Sequence, residues 1–470
     1  MKSAHRNLIY AVSVVAIGFF WFGSVFFSYL EVLKTHFDAE TVATIIISLS
    51  YGAQMLGILL YVIIAARYKR LAESKLLMTL SFGLSAVGIL GSFISSNGTV
   101  IIISGALFSF FGTSGILLGV QFHCITGLLP QKLYGRTFGF AYAAGSLGTT
   151  LLAFAFNGRC PVGYPAAIIY TLFILLNFIL MLHIKGKLAY APAEPALQER
   201  TQIPALTAEK PSVRNLIFIL VGVFLVMGIL SSVSDLMQHA YIEASNQINS
   251  AYVRVFFAVG LILAGFLMDY NRRLGAIACL ATHGFSFLLV LMLGSPGHGF
   301  EALALSYLLS GFHRVFQVTT SMDAASRAPR LFYVSVFGYL FSRMGEVLVS
   351  IPYNYVQFDL LRETLLASVF FVILLIMFFL LMKKLYEPVP SATEALAPKR
   401  SFDEMVADFG ITEREAEALR LLLVDKNTSE IASAMHITEG TVYKYISSMI
   451  AKTSSKTRVD MIAKFSKHKP

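Results

Sequence analysis

Hydrophobic and polar positions follow two regimes along this chain. Up to about residue 384 the apolar residues form near-continuous runs of about 20, the length that crosses a bilayer as a helix, parted by short polar breaks. Beyond residue 400 they recur every three or four positions, the signature of small amphipathic helices in water. The long runs predict twelve spans, at 8–30, 42–66, 76–95, 99–121, 135–156, 164–184, 214–234, 251–269, 275–294, 301–321, 331–352 and 364–384. The first run follows Lys2 and Arg6 as a signal peptide would, but its apolar core is too long and has no small-residue cleavage site, so it reads as a retained helix.

Composition agrees with the first regime. Of 470 residues 56 % are hydrophobic and 14 % charged, well below the quarter or so of charged residues in a soluble domain, and the mean hydropathy is +0.70. The net charge of +10 is mostly a topology signal. Arg67, Lys69, Arg70, Lys75, Lys132, Arg136, Arg272, Arg273, Arg327, Arg330, Lys383 and Lys384 crowd one set of loops; the alternate set holds Lys34, Arg159, Arg254 and Arg362. Excess Lys and Arg marks the cytoplasmic side, which puts both termini there, in a multi-pass protein of the cell inner membrane. Residues 1–184 and 214–384 then form two six-helix halves joined by a linker at 185–213, rich in Pro, Ala and charge. A tether follows at 385–407 and a small domain at 408–466.

The six-plus-six arrangement resembles the major facilitator superfamily. So does the loop between spans 8 and 9, GFLMDYNRRLG, with Gly265, Asp269, Arg272 and Arg273 in that family's loop pattern. The corresponding first-half loop keeps Arg67, Lys69 and Arg70 but has Ala65 and Ala66 where the acid is expected. Polar side chains inside spans are costly in lipid and mark bundle interiors or cavities. Arg343 and Glu346 sit three apart and can pair; His313, Arg314 and Gln317 lie on the preceding span, Gln54 on the second, and Asp235 and His239 at the end of the seventh, where they could also face solvent. These groups are either a structural ion-pair network or the lining of a small-molecule cavity.

The tail carries its own start signals. Thr412 with Glu415, and Asn427 with Glu430, are capping boxes; Thr438 and Thr457 open two further helices. Ala416, Leu419, Leu422, Leu423, Ile431, Ala432, Met435, Val442, Ile446, Met449, Val459, Ile462 and Ala463 fall on the inner faces. The tight turn between the second and third helices is a helix-turn-helix arrangement. The third helix would then present Glu439, Gly440, Tyr443, Lys444, Ser447, Ser448 and Lys452 to the major groove, with Asn427, Thr428, Thr438 and Thr441 positioning the backbone.

Residues 408–466 are similar to the LuxR-type helix-turn-helix of bacterial transcription regulators. The match runs through Thr412, Arg414, Glu415, Glu417 and Leu419, then Ser429 to Ala432, then Ile437, Glu439, Thr441, Val442, Lys452 and Arg458. Tyr443 and Tyr445 stand where that family has Lys and His, and Thr453 where it has Leu. The resemblance implies double-stranded DNA as partner and a homodimer when DNA-bound, through the last helix with Val459, Met461 and Ile462. The fold class expected is therefore all-α, a twelve-helix major-facilitator-like bundle with a small cytoplasmic four-helix domain. No nucleotide fingerprint, Walker loop, HExxH site or nucleophile elbow is present, and Cys124, Cys160 and Cys279 are too far apart in sequence for a metal cluster, so neither enzyme nor cofactor is expected. Two functions fit. One is a membrane-embedded one-component regulator whose bundle senses a small molecule or membrane state; the other is a secondary transporter with a regulatory DNA-binding tail.

Overall fold

A computed structural model describes residues 2–46, 51–190, 210–245, 250–291, 299–327, 329–353, 360–386, 402–424, 426–455 and 457–466, and the regular elements among them are all helical. The chain divides into two compact units, Met1–Glu387 and Pro388–Pro470.

In the first unit the apolar runs become α1 (Lys2–His36), α2 (Gly52–Arg67), α3 (Lys75–Ile94), α4 (Gly98–Phe111), α5 (Ile116–Leu128), α6 (Tyr134–Ala155) and α7 (Gly163–Tyr190). After residues 191–209 come α8 (Lys210–Ser245), α9 (Ser250–Tyr270), α10 (Arg272–Leu291), α11 (Gly299–Arg327), α12 (Phe337–Tyr353) and α13 (Leu360–Leu381). Among the described residues nine helical segments are long and apolar enough to cross a membrane. Their outer surfaces are apolar, with Leu151, Ile168, Phe218 and Phe379 all more than half exposed. The interior holds buried Ser, Thr, Asn and Gln as well as hydrocarbon. That is the distribution lipid demands, because polar side chains there must find partners inside the protein.

Three expectations need correcting. The expected span 99–121 is two helices, α4 and α5, broken at Gly112–Gly115, where Thr113 Oγ1 donates to the Gly18 carbonyl at 2.9 Å. A side chain at Gly115 would collide with the Phe110 carbonyl, its Cβ only 2.0 Å from the oxygen, and the two helices together still form one apolar segment, Gly98–Leu128, long enough to cross a membrane. The linker expected at 185–213 is helical at both ends, since α7 runs to Tyr190 and α8 starts at Lys210; the part between lies outside the described residues. The tether expected to residue 407 ends sooner, because a helix occupies Phe402–Asp408.

Helix α6 packs against α1 on one side and α9 on the other, and α8 packs against α12. The α6–α9 contact joins the first half to the second. It is backbone to backbone: a Cβ on Gly265 would stand 2.6 Å from the Gly135 carbonyl oxygen.

The second unit contains α14 (Phe402–Asp408), α15 (Glu413–Leu423), α16 (Thr428–Ala434), α17 (Glu439–Lys452) and α18 (Arg458–Ser466). Its core is separate, built from Leu419, Leu422, Ile431, Val442, Ile446 and Met449 with Met461 and Phe465. Among the described residues the unit thus has the four helices expected at 408–466 and one more, α14, before them. Phe402 and Met405 of α14 are buried in the same core, with the Phe402 and Phe465 rings 6.1 Å apart.

Candidate functional site

In the tail, both capping boxes form. Thr412 accepts from the Glu415 amide while Glu415 accepts from that of Thr412. Asn427 and Glu430 exchange the same pair, at 2.9 and 2.8 Å. Four residues separate α16 from α17, and His436 takes a left-handed φ of 55° to make the turn, a conformation that strains a residue with a Cβ. The turn aims α17 outward.

On α17, Glu439, Gly440, Tyr443, Lys444 and Ser447 are exposed, while Val442, Ile446 and Met449 are buried. Thr438 caps the helix and its hydroxyl meets that of Thr441 at 2.9 Å. Asn427 is likewise occupied as a cap, and Thr428 is half-buried at the start of α16.

Two residues expected on the reading face are engaged within the domain by Glu415. Lys452 Nζ lies 2.6 Å from Glu415 Oε2, and Ser448 hydrogen-bonds the same carboxylate. Burial pushes the Glu415 carboxyl up, but Lys452, Ser448 and the Thr412 amide and hydroxyl outweigh it and hold it at about 2. Lys452 therefore ties α17 to α15, and its charge is satisfied before any phosphate arrives. Met461, expected on a dimer surface, is fully buried in the core of its own domain; Ile462 is half-buried, and the Val459 and Ala463 side chains lie outside the described residues.

In the bundle, Asp269 at the end of α9 is a node. It accepts from the Gly135 amide at 2.7 Å, the Arg136 amide at 2.9 Å and Arg136 Nε at 2.9 Å, and pairs with Arg272 at 3.1 Å. Arg272 also reaches Asp323 of α11 at 3.0 Å. A carboxylate at the N-terminus of α6 meets both free amides and the positive end of the helix dipole. Gly265, Asp269 and Arg272 thus act together, while Arg273 is exposed.

Glu346 of α12 is a second node. It pairs with Arg343 as the spacing predicts, and also with Arg314 of α11 at 3.4 Å. Ser342 donates to it at 3.3 Å, and Gln317 donates to Ser342 at 3.0 Å. The Arg343 guanidinium lies 4.8 Å from the Tyr51 ring centre beside α2. His313, Arg314 and Gln317 line a cavity of about 480 Å³; Arg343, Glu346 and Gln54 do not. Gln54 is buried with its Oε1 unpartnered. Asp235 lines the same cavity and is exposed within it; the His239 side chain lies outside the described residues. Sequence reasoning missed His283, although a lone histidine in the apolar run ACLATHGFSFLLV is the signal that marks an interior polar site.

Known proteins resemble the two units separately. Residues 410–465 match the model of the luxR family of bacterial regulatory proteins (GerE). Over 54 residues the tail is 44 % identical to the transcriptional regulatory protein DesR of Bacillus subtilis (strain 168), covering 12 % of this chain and 27 % of that protein. Over 64 residues it is 36 % identical to the uncharacterized transcriptional regulatory protein YvfU of the same strain, covering 14 % and 32 %. The chain thus spans about a third or less of these relatives' lengths. The solved structure of a major facilitator superfamily transporter, FucP, in the outward conformation superposes with a TM-score of 0.54 at 13 % identity, covering 79 % of this chain and 98 % of that one. The human organic anion transporter MFSD10 (TETRAN) gives 0.53 at 13 %, covering 80 % and 99 %. At such identities the likeness is one of fold. None of these four is named as an enzyme, in keeping with the non-enzymatic reading. The chain is a multi-pass helical membrane protein of major-facilitator-like fold, and its residues 410–465 form a helix-turn-helix domain similar to that of the luxR family of bacterial regulatory proteins.

Proposed function

We propose that this protein is a major-facilitator-type solute carrier whose tail makes it a transcription regulator. One observation carries the reading: a bundle of transporter fold, with charged groups buried inside it, shares a chain with a luxR-type domain. In this reading the bundle has twelve spans in two sets of six in the bacterial inner membrane, and the loop charges support cytoplasmic termini. Binding of a small solute changes the relative stability of two arrangements of the halves, which is the route by which a ligand can act at a distance. The tail reads the major groove through Glu439, Gly440, Tyr443, Lys444 and Ser447. Lys444 is the basic side chain on that face with no ion pair among the described residues. Few phosphate contacts make a monomer a weak binder, so two tails act as a pair, with Ile462 of α18 on the shared surface.

A second reading, a sensor that does not transport, is favoured by one specific observation. Among the described residues no Asp or Glu of the first half is buried, whereas Glu346 and Asp323 of the second half are. Genome-wide DNA occupancy of the intact protein, with and without residues 402–470, tests the shared part. Loss of all specific sites on truncation is expected; unchanged occupancy sinks it. Solute counterflow in proteoliposomes then separates carrier from sensor, since only the carrier exchanges label across the membrane.

A further inference from the structure

The bundle cavity is enclosed by α8, α10, α11 and α13. All four belong to the second half, so this space is not the cleft between halves. Two of its lining residues, Phe285 of α10 and Val372 of α13, are 61 % and 54 % exposed on the outer surface. The mouth therefore opens sideways between α10 and α13, on the apolar surface that lipid covers. Gly284 sits at this mouth, where an added Cβ would stand 3.0 Å from the Phe371 ring.

The inner end is polar. Asp235 faces the cavity, and its carboxylate has no hydrogen bond or ion pair among the described residues. His313 is 93 % buried, as its 7 % exposure gives, and its Nε2 has no partner among the described residues. The His283 ring lies 3.8 Å from it, centre to centre, and leans towards the Met227 carbonyl without a hydrogen bond of normal geometry. Ser231 and Ser310 add hydroxyls. Arg314 also reaches this wall, but it is held by Glu346 and Gln317, each at 3.4 Å. The cavity thus offers a carboxylate and imidazole nitrogens still lacking partners, and its one guanidinium is already engaged.

A carboxylate in an apolar site is costly until a cation or donor meets it. No group of three His, Cys, Asp or Glu among the described residues is placed to hold a metal ion. The apolar walls and the opening to lipid call for an occupant with a hydrocarbon body. We propose that this cavity is a lateral binding site for an amphipathic amine, with its ammonium at Asp235 and its apolar body along Phe285, Phe371 and Val372. The proposal rests on the reading of the bundle as solute-binding, and it adds the class of solute and the route of entry. The volume of about 480 Å³ lies within the usual range for small-molecule pockets.

Three probes sharing one skeleton test it: phenylbutylamine, phenylbutanol and phenylbutyrate, titrated calorimetrically into the full-length protein in nanodiscs. The amine is expected to bind about tenfold tighter than the alcohol, and the acid least. Asp235→Asn should bring the amine to the alcohol's affinity while leaving the alcohol's within about twofold. Gly284→Leu, which fills the mouth against Phe371, should weaken both. Acid binding as tightly as amine overturns the proposal, as does unchanged amine affinity in Asp235→Asn. Unchanged affinities in Gly284→Leu overturn the lateral mouth. If either variant is misfolded by size exclusion, the ranking of the probes on the unmodified protein decides alone. These titrations involve neither DNA nor transport. Occupancy on the chromosome that ignores solute would therefore defeat the proposed function and leave the ranking intact.

Discussion

The two halves of the bundle hold their helices together by different chemistry. Between its buried helices the first half relies mainly on neutral groups, with Lys185 on the Glu73 and Ser74 carbonyls as a charged exception. Ser24 meets Thr149 at 3.0 Å, Ser28 meets Tyr170 at 2.6 Å, and Gln121 donates to Asn177 at 3.2 Å, which in turn donates to the Val14 carbonyl at 2.8 Å. The second half uses charge: Glu346 with two arginines, and Arg272 between Asp269 and Asp323. Neutral hydrogen bonds between buried helices fix a geometry and respond little to what enters nearby. Buried ions respond strongly, because each depends on its counter-charge. The first half is thus a frame, and the second half is where a solute can shift an equilibrium.

That contrast can be broken. Glu346→Gln leaves the half-buried Arg314 and Arg343 without the carboxylate they pair with and should cost the bundle about 3–5 kcal/mol, read as the largest fall in melting temperature in detergent. Asn177→Leu, in the first half, removes one neutral bridge and should cost about 1–3 kcal/mol. Equal losses from the two would end the distinction.

Glu415 in the tail repeats the charged device next to water. Glu415→Gln should cost less than Glu346→Gln, since the solvent screens what remains. Its cost should also depend on pH. The folded carboxyl is depressed from 4.5 to about 2, so its stabilisation is present above about 4.5 and is lost as pH falls towards 2. Acid unfolding of the tail should move to higher pH-sensitivity in the native protein than in the Gln variant across that window. A variant that melts with the same pH profile would deny Glu415 this role. The smallest effect belongs to the turn: His436→Gly should stabilise the tail by about 0.5–1 kcal/mol, since glycine accepts a positive φ without strain, measurable by urea unfolding.

Local signals carried far in the sequence, and contacts distant along the chain did not. Thr412 with Glu415 and Asn427 with Glu430 lie within one turn, so their caps are legible as written. The partnership of Glu415 with Lys452, 37 residues on, is not, because both also fit a solvated helix face. Phe402–Asp408 read as tether because Pro, Ala and charged residues precede it, and only Phe402 and Met405 mark its buried side. Met461 could be assigned to either face of α18 until Phe465 and Phe402 closed over the core. In the bundle the spacing of Arg343 and Glu346 announced a pair, yet nothing local announced Arg314 as its third member. The break at Gly112–Gly115 was hidden by apolar neighbours that extend the run across it.

The charge cluster has an electrical consequence. Arg314 and Arg343 pair with Glu346, and Asp235 stands near them without an ion pair among the described residues, two cations and two anions in all, so a rearrangement that moves the four together through the bilayer field transfers no net charge. A membrane potential would do no work on it. An ammonium carried with them would change that, adding about 2.3 kcal/mol per 100 mV for passage across the whole field. Any voltage dependence of the bundle should then appear with the solute and vanish without it.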